Sequence, residues 1–596
     1  MSGRRAGRRE VPPPGAAPLP AATAASLLRR NGEDPRIAPR PAVRFGDQAW
    51  THGQYLEECR QWARLLIRMR PQSGPFHVGV LLDNTPEYLF VLGAAALAGA
   101  TVVGLNHTRR GEHLLRDAVH TDVSLLVTEP RHQDLLEPIA GGLPFGRDRL
   151  LVSARFAEPG DPVQTLGTPL AETIDDVVSR PAPAPGSAPP ADPPVDTTWA
   201  LVFTSGTSDA PKAVVCSQRR ILVTGNRMGM ILEIGPDDVG YVCMPLFHSN
   251  ALMVGWAPSI VYGASVALAR RFSASRWLDD VRRNRATWFS YTGKPLAYIL
   301  STPQRPDDAD NPLRVAFGNE GSPQVVDAFR RRFGVEVIDA FGATEGGVAV
   351  NREPDMPAGA MGRVGESVMV VDEEGRERPA ARFDGSGRLV NAEQCVGEIV
   401  NTAGSGPFEG YYNNPEATAR ATRDGWYWSG DLGYVDEDGF LYFAGRTAEW
   451  IRVDGENFPA GPVEAALARH PDVVVAAAYG VPDAQAGDQV MACLALREGA
   501  AFDPVSFARW VDGLRDLGPK WRPRYLRLTT AMPATATNKV LKRVLVHEKF
   551  RLDRTGGDDL YVRGRGDEAF RPLTAEEERA LEHEFAAAGR RRFWDL

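Results

Sequence analysis

The stretch "FHVGVLLDNTPEYLFVLGAAALAGA" sets an apolar run of strand length, a polar turn and an apolar run of helix length in succession. It predicts a buried strand followed by a helix in which Asn84 or Thr85 caps the N-terminus. Pro86 takes the first helical position and Glu87 sits at the positive end of the helix dipole. "LLVTE", "WALVF", "VEVIDAF" and "VGEIVN" are further strand candidates, each running into a polar or glycine-rich turn. Buried strands alternating with helices imply α/β layers, and ligands of such sheets bind beyond the carboxyl ends of the strands. Two uncharged runs, Tyr88–Asn106 and Asn250–Ala269, are broken by Gly, Ala-rich turns and Pro258, so they read as buried helix–turn–strand units rather than membrane spans.

Farther along, "DGWYWSGDLGYVDEDGFLYFAGRTAEW" has the Gly/Asp spacing of hairpins ending in a junction. From about residue 447 the chain starts its own helix and strand patterns, with "PAGPVEAALARHPDVVVAAAYGV" as the clearest. The predicted fold is therefore α/β: a large N-terminal domain, residues 41–446, of layered α/β subdomains with a β-rich subdomain, and a small mobile α+β C-terminal domain, 447–596. Residues 1–40, rich in Pro, Ala and Arg, are expected to be a disordered tail. Residues 179–196 are expected to be an extended low-complexity insert.

Composition narrows the function classes. At 596 residues, 43% apolar and 24% charged, the chain reads as an ordinary soluble protein of more than one core, and a net charge of −8 argues against a general nucleic-acid binder. Five scattered cysteines have neither disulfide nor metal-ligand spacing, and no apolar leader is visible, so the cytoplasm is the expected compartment.

Four stretches carry candidate chemistry. "TSGTSDAPKA", Thr204–Ala213, is a hydroxyl- and glycine-rich turn after a strand, able to offer donors to an anion. It lacks the Gly-Lys-Ser/Thr end of a P-loop, and a polar surface loop has the same composition. "VIDAFGATEGG" sets Thr344 beside Glu345, a pair suited to a phosphate and its Mg2+, or simply a capped strand–helix turn. "YWSGDLGYVDEDGFLYFAGR" sets Asp431 in a tight turn and Arg446 at the domain junction, as ligands for ribose and phosphate or as an ordinary hairpin ion pair. "PATATNKVLKR" places Lys539 in a polar turn opening a basic helix, where most lysines are only solvated.

Their order and spacing, with "NTPEYLFVLGAAALAGATVVGLN", "MPLFHSNALMVGW", "GNEGSP", "GEIVNTAGSGPFEGYYNNPEAT" and "VDGENFPAGPVE", resemble the ANL superfamily of adenylate-forming enzymes from about residue 45 to 545. The match is best to the fatty-acid-transport-protein and very-long-chain acyl-CoA synthetase branch. The resemblance implies that Thr204, Ser205, Gly206, Thr207 and Lys212 hold the β- and γ-phosphates of ATP. Gly318, Asn319, Glu320 and Gly321 line the adenine side, Asp339 contacts the adenine amino group and Phe341 stacks on its ring. Thr344 and Glu345 take phosphate and Mg2+, with Glu345 the metal ligand. Asp431 takes the ribose, Arg446 partners it on the phosphate side, His248 gates the carboxylate pocket, Lys539 is the catalytic lysine and Gly455 lines the path of CoA.

The implied activity is ATP-dependent activation of an acid through an acyl-adenylate, followed by transfer to CoA or to a carrier-protein thiol. His248 stands where amino-acid-activating members carry Asp, so a fatty or aryl carboxylate is the expected substrate. Departures from the family pattern are Asp209 and Ala213 in the phosphate loop, Asn538 before the lysine and Ala448 at the hinge. Asp209 is expected to turn outward, because at ~5 Å and a dielectric near 20 its charge would repel each phosphate charge by roughly 3 kcal/mol. Asn538 is expected to reproduce the backbone form of the usual glycine. Two alternatives stand beside the ligase: a diverted adenylating enzyme of secondary metabolism that activates nitrite for an arylamine, and a weakly catalytic nucleotide-binding relative.

Overall fold

The computed structural model describes residues 12, 15–169, 192–204, 211–292, 294–319, 321, 323–348, 350, 356–357, 359–385, 389–446, 450–453, 456–484, 488–514, 517–535, 538–564, 566–588, 590–591 and 594. Two largely parallel sheets form the layers of the N-terminal part. One runs in the order Glu336–Asp339, Val315–Asn319, Trp288–Thr292, Val239–Val242, Ser265–Leu268, Pro41–Phe45, with Gln48–Thr51 antiparallel at its edge. The other runs Thr168–Pro169, Leu150–Val152, Val123–Thr128, His77–Leu81, Thr101–Gly104, Thr198–Phe203, and turns back through antiparallel Ala213–Ser217. A five-stranded antiparallel sheet, Val368–Val371 to Ala360–Arg363, is the β-rich unit, and among its strands Tyr427–Val435 and Phe440–Arg446 form the predicted hairpin. From Ile451 onward a separate set of buried side chains covers a mixed sheet of Val473–Pro482, Asp488–Leu496, Tyr525–Leu528, Asp559–Val562 and Arg571–Pro572. The mixed α/β fold with large N-terminal and smaller C-terminal domains is the one the sequence predicts.

The helix Pro86–Ala98 is buried on nearly every side, which explains why its sequence has no polar face. It ends at Gly99 in the left-handed conformation and hands over to the strand Thr101–Gly104. The second uncharged run behaves alike: a π-helical turn Asn250–Trp256, a helix Ala257–Tyr262, left-handed Gly263, then Ser265–Leu268. No helix among the described residues is long and apolar enough to cross a membrane.

Three local expectations need correction. Neither Asn84 nor Thr85 caps the helix through its side chain. Asn84 instead donates to the Met244 carbonyl at 2.8 Å and accepts from the Leu246 amide at 2.9 Å, so tertiary partners outbid the local cap. Glu87 does stand in the first turn, as expected, although it is 2% exposed and burial raises its carboxyl to about 7. Within the expected disordered tail, Ala24–Glu33 is a helix with a Thr23/Ser26 capping box. It packs Ala24, Ala25, Leu27 and Leu28 into the core, an apolar stripe that the Pro- and Arg-rich composition concealed. Asp431 lies within a strand, opposite Arg446 in register, and not in a turn. Of the 179–196 insert, 179–191 lies outside the described residues, while Asp192 and Asp196 pair with Arg29 and Arg219.

Candidate active site

The carboxyl ends of strands from both parallel sheets deliver the candidate residues, as strand polarity requires. Val315–Asn319 ends in Gly318 and Asn319, and its neighbour Glu336–Asp339 ends in Asp339. Asp339 Oδ2 accepts from the Gly321 amide at 2.7 Å and from the Tyr291 hydroxyl at 2.6 Å, and Asn319 donates to the Ala340 carbonyl. Gly318 and Gly321 leave little room for a side chain. A Cβ on Gly318 would lie 2.3 Å from the Tyr291 carbonyl, and one on Gly321 2.6 Å from Asp339 Oδ2. Phe341 faces Phe443 of the antiparallel hairpin, with ring centroids 6.2 Å apart, so the adenine-side candidates meet the hairpin that carries Asp431.

Thr344 and Glu345 are held from three directions. The Arg220 guanidinium donates to both their backbone carbonyls, the Ser249 and Thr344 hydroxyls share a hydrogen bond of 2.9 Å, and Tyr411 donates to Glu345 Oε1 at 2.7 Å. The ring of Tyr411 also lies under Lys212 Nζ, 5.6 Å from its centroid, linking the phosphate-loop lysine to the metal-ligand candidate. Thr204 closes the base of that loop, its amide on the Lys212 carbonyl at 3.0 Å. Tyr427 is fully buried, and after desolvation the carboxylates of Glu345 and Asp431 are among the charges that raise its hydroxyl.

His248 precedes the π-helical turn, a rare form that recurs at functional sites. Desolvation first and the Lys539 ammonium second pull its imidazole down to about 3. Lys539 of the C-terminal domain thus exerts its charge on His248. It does so from a tight turn: the Thr535 amide donates to the Lys539 carbonyl at 2.7 Å, the Lys539 amide to Thr535 Oγ1 at 3.1 Å, and Asn538 takes φ +60°. Asn538 thus adopts the left-handed form expected of it.

Contacts therefore join Lys212 and Glu345 through Tyr411, and Thr344 to Ser249, the neighbour of His248. Asp339, Gly321 and Tyr291 form a second cluster beyond the strand ends, beside Gly318, Asn319 and Phe341. Asp431 is connected to Tyr427, and Lys539 to His248, by charge. Ser205, Gly206, Thr207, Asp209, Glu320, Ala448 and Gly455 lie outside the described residues, and Arg446 is placed by its strand alone. Sequence reasoning missed Ser249, Arg220, Tyr291 and Tyr411. Ser249 and Tyr411 stand inside "MPLFHSNALMVGW" and "GPFEGYYNNPEAT", so the stretches were visible although the roles were not.

Residues 30–412 match the family described as AMP-binding enzyme, and 462–539 the AMP-binding enzyme C-terminal domain. The chain belongs to this family. It is 45% identical over 575 residues to the steroid-22-oyl-CoA synthetase of Rhodococcus jostii (strain RHA1), covering 95% of this chain and 98% of the relative. It is also 45% identical to the medium/long-chain-fatty-acid–CoA ligase FadD17 of Mycobacterium marinum (strain ATCC BAA-535 / M), over 81% of this chain and 88% of that one. Among solved structures, the anthranilate CoA ligase AuaEII bound to anthranoyl-AMP superposes with a TM-score of 0.72 at 23% identity, covering 88% of this chain and 96% of that one, which shows the shared fold. The enzyme class expected from the sequence, an ATP-dependent, AMP-forming ligase of the acid–thiol type, holds.

Proposed function

We propose that this AMP-binding enzyme joins a large apolar carboxylic acid, of the fatty-acid or steroid side-chain class, to CoA, with AMP and pyrophosphate as the other products. The observation that carries the proposal is the Thr344–Glu345 pair, fixed by Ser249 and Tyr411 with Lys212 over the same Tyr411 ring. In the first step a carboxylate oxygen bonds to the α-phosphorus of ATP and the bond to pyrophosphate breaks. In the second the CoA sulfur bonds to the acyl carbon, the bond to AMP oxygen breaks and the thiol proton leaves to solvent.

Each residue has a physical task in this scheme. Two anions meet in the first step, and Lys539 lowers their repulsion where charge builds on the transferred phosphoryl group. His248 is kept neutral by burial and by Lys539, so it walls the pocket without neutralising the nucleophile. Glu345, held by Tyr411, and Thr344, held by Ser249, offer one carboxylate and one hydroxyl, a donor set that suits Mg2+ sharing its sphere with phosphate oxygens. Mg2+ arriving with ATP would supply Lewis-acid charge there. Asp339 accepts the adenine amino group and Asp431 the ribose hydroxyls. A lysine at the gate obstructs a thiol, so the C-terminal domain, 447–596, turns about the junction at Ala448 before the second step. Phe247, Leu252, Met253 and Trp256 are buried in the segment that carries His248, and the substrates in the relatives' names favour an apolar acid. Five buried free cysteines suit a reducing, cytoplasmic setting.

A screen of pyrophosphate release over fatty, steroid side-chain and aryl acids, with and without CoA, tests this. Acid-dependent AMP formation with a CoA thioester as product is the expected result. AMP from none of these acids, or release driven by nitrite and an arylamine alone, overturns it.

A further inference from the structure

We propose that Asp83, His107 and His132 form a binding site for a zinc-type divalent ion, beside the Phe247–His248 segment and sharing no residue with the nucleotide site. The topology builds it. Strands Val123–Thr128, His77–Leu81 and Thr101–Gly104 are parallel neighbours in that order, and His132, Asp83 and His107 follow their carboxyl ends. Asp83 therefore emerges from the middle strand with one imidazole on each side. The two histidine rings stack 5.1 Å apart at 8°. Both Nε2 atoms approach the same oxygen, Asp83 Oδ1, at 3.1 Å for His132 and 3.8 Å for His107, and all three donor atoms lie within 4.8 Å of one another. A four-coordinate ion with bonds of about 2.0–2.1 Å separates its donors by about 3.4 Å, so binding requires the two stacked rings to turn and draw their Nε2 atoms toward Asp83 Oδ1.

The surroundings support the site. Arg131 Nη1 takes the other oxygen, Asp83 Oδ2, at 2.8 Å, which turns Oδ1 toward the imidazoles as an outer partner orients a metal-ligating carboxylate. Glu129 accepts from Arg270 at 2.7 Å and from the Asp83 amide at 2.6 Å, bracing the same loop. Around Arg131 and Arg270 stand four carboxylates, Asp83, Glu129, Glu158 and Asp161. Four carboxylates against two guanidiniums leave two negative charges in a cluster where Glu129, Arg270 and His132 are each at least nine-tenths buried, and a dication that displaces any proton held on His132 would balance them. The His107 side chain is 26% exposed, which leaves an approach from solvent and a place for a water as fourth ligand. Two nitrogens and one oxygen select zinc, cobalt or nickel over magnesium, which prefers six oxygens. Because the His107 ring meets Phe247 edge-on at 5.4 Å and Phe247 adjoins His248 at 5.1 Å, a bound ion would fix the loop that carries the gate.

The test uses the full chain, stripped with a chelator and titrated with Zn2+ in excess Mg2+ without nucleotide, against a chromophoric competitor. One zinc per chain is expected, with Co2+ giving the intense visible bands of a four-coordinate site. His107→Gln and His132→Gln should each weaken zinc at least 10-fold, while His583→Gln on an exposed helix should not. In a melting experiment, Zn2+ should raise the transition of the unsubstituted protein and leave that of His107→Gln unmoved, which separates loss of the ion from loss of the fold. No zinc bound by the unsubstituted protein, or equal affinity in His107→Gln, overturns the proposal.

Discussion

Replacing Gly321 by alanine should weaken ATP without unfolding the protein. The backbone there is not left-handed, so the added methyl acts through contact alone. Its carbon would lie 2.6 Å from Asp339 Oδ2 and 2.9 Å from Val326 Cγ2. Real contacts of this kind begin near 3.0 Å, so the carboxylate must retreat by about 0.4 Å or more. Asp339 is pinned by two charge-assisted hydrogen bonds, from the Gly321 amide and the Tyr291 hydroxyl, and a retreat stretches at least one of them. Hydrogen bonds to a charged group contribute about 1.5–3 kcal/mol, so if Asp339 takes the adenine amino group as proposed, displacing it weakens that bond to ATP by about 2 kcal/mol. That is roughly 30-fold in the KM for ATP. Steady-state pyrophosphate release at saturating acid reads it directly. The KM for the acid should stay within twofold of the unsubstituted value, and preference for ATP over inosine triphosphate should shrink. An ATP KM that does not move, in a variant with unchanged melting, would refute the placing of Asp339 at the adenine.

Three further outcomes are expected. Lys539→Ala should slow adenylate formation by about 10²–10³-fold while leaving CoA thiolysis of supplied acyl-adenylate largely intact; equal loss in both half-reactions would contradict the two-domain scheme. Tyr411→Phe removes the hydroxyl on Glu345 but keeps the ring under Lys212, so the Mg2+ concentration for half-maximal rate should rise about tenfold, and an unchanged metal titration would count against Glu345 as the ligand. Glu87 holds its proton in the fold up to about 7 against an ordinary 4.5, so its contribution to stability falls as pH rises from 4.5 through 7, by about 3 kcal/mol in all. Urea midpoints of Glu87→Gln should accordingly exceed those of the unsubstituted protein at pH 8 but not at pH 5, and parallel pH profiles would show that the buried carboxyl is not the cause.

Much of this was legible in the chain. An apolar run such as "WALVF" becomes a strand wherever it is buried, and the helix–turn–strand units broken by Gly99 and Gly263 follow from local backbone preference. Asn538 could be read in the same way, because tolerance of the left-handed region belongs to the residue itself. The helix Ala24–Glu33 was lost because composition was weighed over a window in which Pro and Arg outnumber its short apolar stripe. Asn84 could not be read correctly from its neighbours, since its partners, Met244 and Leu246, lie some hundred and sixty residues away.

Sequence alone determined the strands, the turns that interrupt them and the motifs that name the nucleotide chemistry, because these depend on side-chain character and on spacing over a few residues. Tertiary structure alone decided that Tyr411 supports Glu345, that Ser249 bonds Thr344, that the charge of Lys539 acts on His248, and that two histidines meet Asp83. Hydrogen bonds and charge effects act over a few ångströms, and which distant segments come that close is fixed by the order of strands in a sheet and the packing of its cores, not by any local run of residues.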